Sequence, residues 1–179
     1  MKPDNETAQQ LLGIAKSAIA THLDGGEIAL PKLPHPWHEA RAVFVTLRRP
    51  DGSLRGCIGH LSPSRSSLIE EITHDAVLAA TKDPRFPPVS PSELETLSLS
   101  ISILGPAEPI ADSSHLDPKR FGVIVTQGQR RGVLLPNIDG VDTVEQQLRI
   151  TRRKANIEDH TPVQLSRFEV IHVPPGNFG

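Results

Sequence analysis

The sequence predicts an α+β fold, a mainly antiparallel sheet with three helices. Three observations carry this: two pairs of β-branched or apolar runs joined by turn residues, one long alternating strand, and three stretches with helical spacing. Apolar residues recur at Ala8, Leu11, Leu12, Ala15, Ala18 and Ile19, which puts a helix over Asn5 to about His22, stopped by Asp24-Gly25-Gly26. A proline-rich loop follows, with Pro31, Pro34 and Pro36 excluding helix and Trp37 as its anchor. Ala42–Leu47 and Leu54–Leu61 read as a hairpin around Pro50-Asp51-Gly52-Ser53.

Ser67-Leu68-Ile69-Glu70 has capping-box spacing, and Leu68, Ile69, Ile72, Ala76, Ala79 and Ala80 then line one helical face. Asp83-Pro84-Arg85-Phe86-Pro87-Pro88 ends that helix in a stiff extended segment. Leu97, Leu99, Ile101 and Ile103 alternate with Ser98, Ser100 and Ser102, a strand with one buried and one hydroxyl-lined face. Pro106–Pro118 reads as loop. Gly122–Thr126 and Gly132–Pro136 form a second hairpin around Gln127-Gly128, and Asp142-Thr143-Val144-Glu145 caps a third helix. Leu165–Val173 closes the sheet. Residues 8–173 are expected to form the domain, with 1–7 and 174–179 as tails.

Composition narrows the function classes. The 179 residues hold five Phe, one Trp and no Tyr, so the core is aliphatic and base-stacking platforms are not expected. A net charge of −2 gives no reason to expect a polyanionic partner, and no nucleic-acid partner is expected. The pairs Arg48-Arg49 and Arg130-Arg131 and the run Arg152-Arg153-Lys154 read as solvated charge beside turns and helix ends. One cysteine excludes an internal disulfide. Without a signal-like or membrane-spanning apolar run, the expectation is a cytoplasmic protein with no membrane partner.

The segment Leu54-Arg55-Gly56-Cys57-Ile58-Gly59 is the most unusual feature. Two glycines inside a strand weaken it unless something approaches the backbone closely. Alternation places Arg55 and Cys57 on one face, where a guanidinium favours thiolate, and turns His60 to the other. Cys57 is then either a reactive thiol or a small buried hydrophobe, and the spacing alone leaves both readings open. The candidate catalytic residues are Cys57 and Arg55. The candidate substrate-binding residues are Gly56, Gly59, His60, Asp83 and Arg85, with Arg85 as a carboxylate or phosphate clamp or a brace at the helix exit. His74 reads as an exposed histidine. His35 and His38 have metal-like spacing but no third ligand nearby, so no metal site is expected. No nucleotide-binding, nucleophile-elbow or zinc-protease motif is present.

In order along the chain, Phe44-Val45-Thr46-Leu47, Leu54–Gly59, Asp83–Pro88, the strand Leu97–Leu104 and Arg131–Pro136 resemble the AMMECR-one domain family, also called AmmeMemoRadiSam system protein A. The likeness covers roughly residues 8–172, and LRGCIG followed by DPRFPP is its most specific part. The resemblance implies two closely packed subdomains forming a cleft lined by the LRGCIG segment. It also implies association with a Memo-type, dioxygenase-like protein and a radical-SAM protein. The sequence departs from many relatives in its short Asn137–Gly140 region, where they carry a longer segment with a Trp. Two functions follow as expectations. One is a small-molecule-processing enzyme using Cys57, its cofactor unknown. The other is a non-catalytic binding or adaptor subunit serving those partner proteins.

Overall fold

The computed structural model describes residues 3–31 and 37–178. The chain divides into two compact units, residues 1–103 with 171–179, and residues 104–170.

The first unit begins with α1, Asn5–Leu23, whose Asp4 side chain accepts from the Thr7 N–H at 2.8 Å and so caps it. Its buried face carries Leu11, Leu12, Ala15, Ala18 and Ile19, the stripe read from the sequence. Strands β1 (Val43–Arg48) and β2 (Leu54–Gly59) form the expected antiparallel hairpin, pairing Thr46 with Cys57 and Leu47 with Gly56. Helix α2 (Leu68–Thr81) starts at Ser67, which accepts the Glu70 N–H, and packs on α1, β1 and β2. The one-turn helix α3 (Pro91–Leu94) leads into β3 (Ser98–Leu104), antiparallel to β1. One face of β1 and β3 presents Val43, Val45, Leu47, Leu99, Ile101 and Ile103 to the core. Trp37 joins that core, so the anchor role expected of it holds.

The second unit contains β4 (Glu108–Ile110), a 3₁₀ turn over Ser113–His115, and the hairpin β5 (Phe121–Gln127) and β6 (Arg130–Leu134). Helix α4 (Val144–Lys154) packs on that hairpin. Leu116, Val123, Val125, Leu134, Val141 and Ile157 form its core. Strand β7 (Gln164–Asn177) pairs with β4 and β5 in this unit, and its last residues belong to the first unit beside β3.

Several elements differ from the sequence reading, the one-turn helix α3 among them. The capping box of α4 is Thr143 with Gln146, one residue later than expected, because the Gln146 side chain takes the N–H groups of both Asp142 and Thr143. The stretch read as loop after Pro106 includes β4, whose three residues are too few to show alternation. Residues 174–177 continue β7, and α1 starts at Asn5, so neither expected tail is wholly irregular. Among the described residues no helix is long and apolar enough to cross a membrane.

Candidate functional site

The register of β1, β2 and β3 sets Cys57, Thr46 and Ser100 side by side on the sheet face turned away from the apolar one. Cys57 is half-buried, and the Thr46 hydroxyl donates to its sulfur at 3.3 Å. Its backbone N–H donates to Asp83 Oδ2 at 2.9 Å. Asp83 sits at the α2 exit with a side chain only 2% exposed. It also accepts the Arg85 N–H at 3.0 Å and Arg85 Nη2 at 2.7 Å. Donation from Arg85, then from the two backbone N–H groups, holds the Asp83 carboxyl well below the ordinary carboxylate range. Asp83 in turn raises the Arg85 pKa. The Arg85 guanidinium stays half-exposed and reaches the Cys57 carbonyl at 3.4 Å. The Asp83–Pro88 segment therefore ties the cysteine strand to the end of α2, and presents a fixed cation beside the cysteine.

Arg55 is placed differently from its expected role. Its guanidinium is 3% exposed and clasps Glu93 of α3 through two nitrogens, Nη2–Oε2 being 2.9 Å, while Nη2 also donates to the Pro87 carbonyl. This bidentate pair anchors α3 and the proline segment to β2. Arg85 is the arginine at Cys57. The Phe86 ring lies 5.6–5.8 Å from the guanidinium carbons of Arg49, Arg55 and Arg85. Arg55 and Arg85 are paired with the carboxylates Glu93 and Asp83.

The two glycines of β2 make room for neighbouring backbone. A Cβ on Gly56 would overlap the Ala79 carbonyl of α2, and one on Gly59 would overlap the Val43 carbonyl and the Phe44 ring. The close approach that the sequence implies there is made by the protein's own helix and strand. His60 turns away from Cys57 as alternation requires, toward α2. Its Nδ1 lies 3.2 Å from Asp75 Oδ1 and 3.6 Å from Glu71 Oε1. The His74 ring stacks on His60 at 6.4 Å and meets the Arg65 guanidinium at 3.0 Å, so it is not simply solvated. His35 lies outside the described residues.

The model of the AMMECR1 family matches residues 12–173. The chain belongs to that family. A Thermotoga maritima protein is 50% identical over 156 residues, spanning 85% of this chain and 90% of its own. A Clostridium acetobutylicum protein is 40% identical over 162 residues, and this chain spans only 34% of its length. Among solved structures, an uncharacterised Pyrococcus horikoshii protein superposes with a TM-score of 0.82 at 33% identity, covering 95% of this chain and 92% of that one. The α+β fold is thus shared with a solved relative.

In this AMMECR1 domain the sequence reading missed Glu71 and Asp75. Both side chains are fully buried, one turn apart on α2. The signal was present: they interrupt the buried stripe of Leu68, Ile72, Ala76 and Ala79 with charge. Burial pushes the Asp75 carboxyl up and so does Glu71, while His60 opposes the rise.

Proposed function

We propose that this AMMECR1 domain processes a small anionic molecule, such as a carboxylate, on the sheet face bearing Cys57. The observation that carries this reading is the half-exposed Arg85 guanidinium, fixed by Asp83 beside the half-buried cysteine. With Nε and Nη2 of Arg85 engaged by Asp83 and the Cys57 carbonyl, the guanidinium is held so that its Nη1 N–H groups can donate to a ligand carboxylate. Thr46 orients the thiol, Arg85 positions the ligand, and Asp83 holds both the cation and the cysteine backbone. Arg55 acts through the fold, by keeping the Pro87 carbonyl and α3 against β2.

The test compares alkylation of Cys57 by iodoacetate, an anion, with alkylation by neutral iodoacetamide. A cation at the thiol raises the anionic rate relative to the neutral one in a salt-sensitive way. The ratio should exceed that of free cysteine and fall on Arg85→Ala. A ratio equal to that of free cysteine in the wild type overturns the proposal. A thermal-shift screen of small carboxylates on wild type and Cys57→Ala then identifies the ligand.

The second reading is a binding or adaptor subunit for a Memo-type or radical-SAM protein. What favours it is the Clostridium relative, in which the matched segment is about a third of a longer chain. Co-purification with such proteins, undiminished by Cys57→Ala, supports this reading over the first.

A further inference from the structure

The cluster His60, Glu71 and Asp75 lies outside the Cys57 site and makes a different demand on the fold. Two carboxylates with no solvent exposure sit on adjacent turns of α2, and burying two negative charges without compensation is strongly unfavourable. Glu71 is held in place: its Oε2 accepts the N–H groups of Ser64 at 2.8 Å and Arg65 at 2.7 Å, and its Oε1 accepts the Ser64 hydroxyl. Oε1 also faces His60 Nδ1. Asp75 Oδ2 pairs with His60 Nδ1 at 3.4 Å, while its buried Oδ1 accepts no hydrogen bond, although the same nitrogen stands 3.2 Å away. A buried carboxylate oxygen with no hydrogen bond, facing a ring nitrogen in a cluster with a second buried carboxylate, is a donor open to a cation.

We propose that His60, Glu71 and Asp75 bind a divalent transition-metal ion of the Zn²⁺ type. One donor atom from each residue lies within 4.8 Å of the other two. With ligand bonds of about 2.0–2.2 Å, neighbouring corners of a tetrahedron are roughly 3.3–3.6 Å apart. The His60 Nδ1 separations of 3.2 Å to Asp75 Oδ1 and 3.6 Å to Glu71 Oε1 fall close to that range. The imidazole selects a transition metal over Mg²⁺ or Ca²⁺, and the two carboxylates neutralise its charge. The Ser64 and Arg65 N–H groups orient the Glu71 carboxylate, as partners of metal ligands commonly do. His60 is 43% exposed, so water can complete the fourth position from that side.

The experiment uses the full chain, stripped with a chelator and titrated with Zn²⁺ alone by calorimetry, with metal content checked by elemental analysis. The expected result is one Zn²⁺ per chain, weakened at least tenfold by His60→Ala and by Asp75→Asn, and retained by Cys57→Ser. His60 is half-exposed, so its alanine variant reads the same site without disturbing the core. Equal affinity in wild type and His60→Ala overturns the proposal. So does the absence of Zn²⁺ binding to the wild type. Neither result bears on the Cys57 reading, which iodoacetate tests separately.

Discussion

Replacing Glu93 with glutamine tests whether Arg55 serves the fold or the cysteine. Arg55 is 3% exposed and Glu93 supplies its only carboxylate partner among the described residues, so the variant leaves a buried cation facing an amide. Removing one partner of a fully buried ion pair costs about 3–5 kcal/mol. Glu93 is 30% exposed, so water offsets part of the loss, and about 2–3 kcal/mol is expected here. For a chain of this size each kcal/mol lowers the melting midpoint by about 2–4 °C, giving a drop of roughly 4–12 °C. Urea unfolding of wild type, Glu93→Gln, Arg55→Met and the double variant measures the coupling, expected at about 1–3 kcal/mol for contacting residues. Arg55 holds the Glu93 carboxyl below its ordinary value of 4.5. The pair's contribution is therefore complete above about pH 4.5 and fades as pH falls through the lower folded-state value. The gap between wild type and Glu93→Gln should close in acid. A loss under about 0.5 kcal/mol with no coupling, the level of an ordinary surface substitution, refutes the structural role of Arg55.

The remaining predictions concern packing and buried charge. Gly56→Ala forces a Cβ into the Ala79 backbone and should cost about 3 kcal/mol or more, whereas Gly13→Ala, exposed on α1 with open space around it, should add about 0.5–1 kcal/mol, both read from urea melts. In metal-free protein Asp75→Asn should be at least as stable as wild type at pH 7. The folded-state pKa of Asp75 is raised, so ionising it costs stability as pH climbs past the ordinary value of 3.8, and the variant escapes that cost. Thermal melts of the two proteins between pH 4 and 7 check this, and a gap that shrinks as pH rises contradicts it.

The local rules were legible in the sequence because each needs only neighbouring residues. Helical spacing located α1 and α2, and alternation located β3 with its serine face. Period two also turns His60 away from Cys57, toward the carboxylates of α2. The family resemblance rested on ordered motifs, and the family match over residues 12–173 agrees with it. Alternation also puts Arg55 and Cys57 on one face, yet it cannot say which arginine stands beside the cysteine. That depends on where α3 brings Glu93, 38 residues further on.

The sequence by itself determined the α+β class, the main elements and the peculiarity of Leu54–Gly59, because periodicity and turn chemistry act over a few residues. Only the tertiary structure decided that Gly56 and Gly59 make room for Ala79, Val43 and Phe44, that Arg85 stands at Cys57, and that His60 meets Glu71 and Asp75. Each of these joins segments distant along the chain. Long-range register and helix docking, which no local pattern encodes, set those meetings.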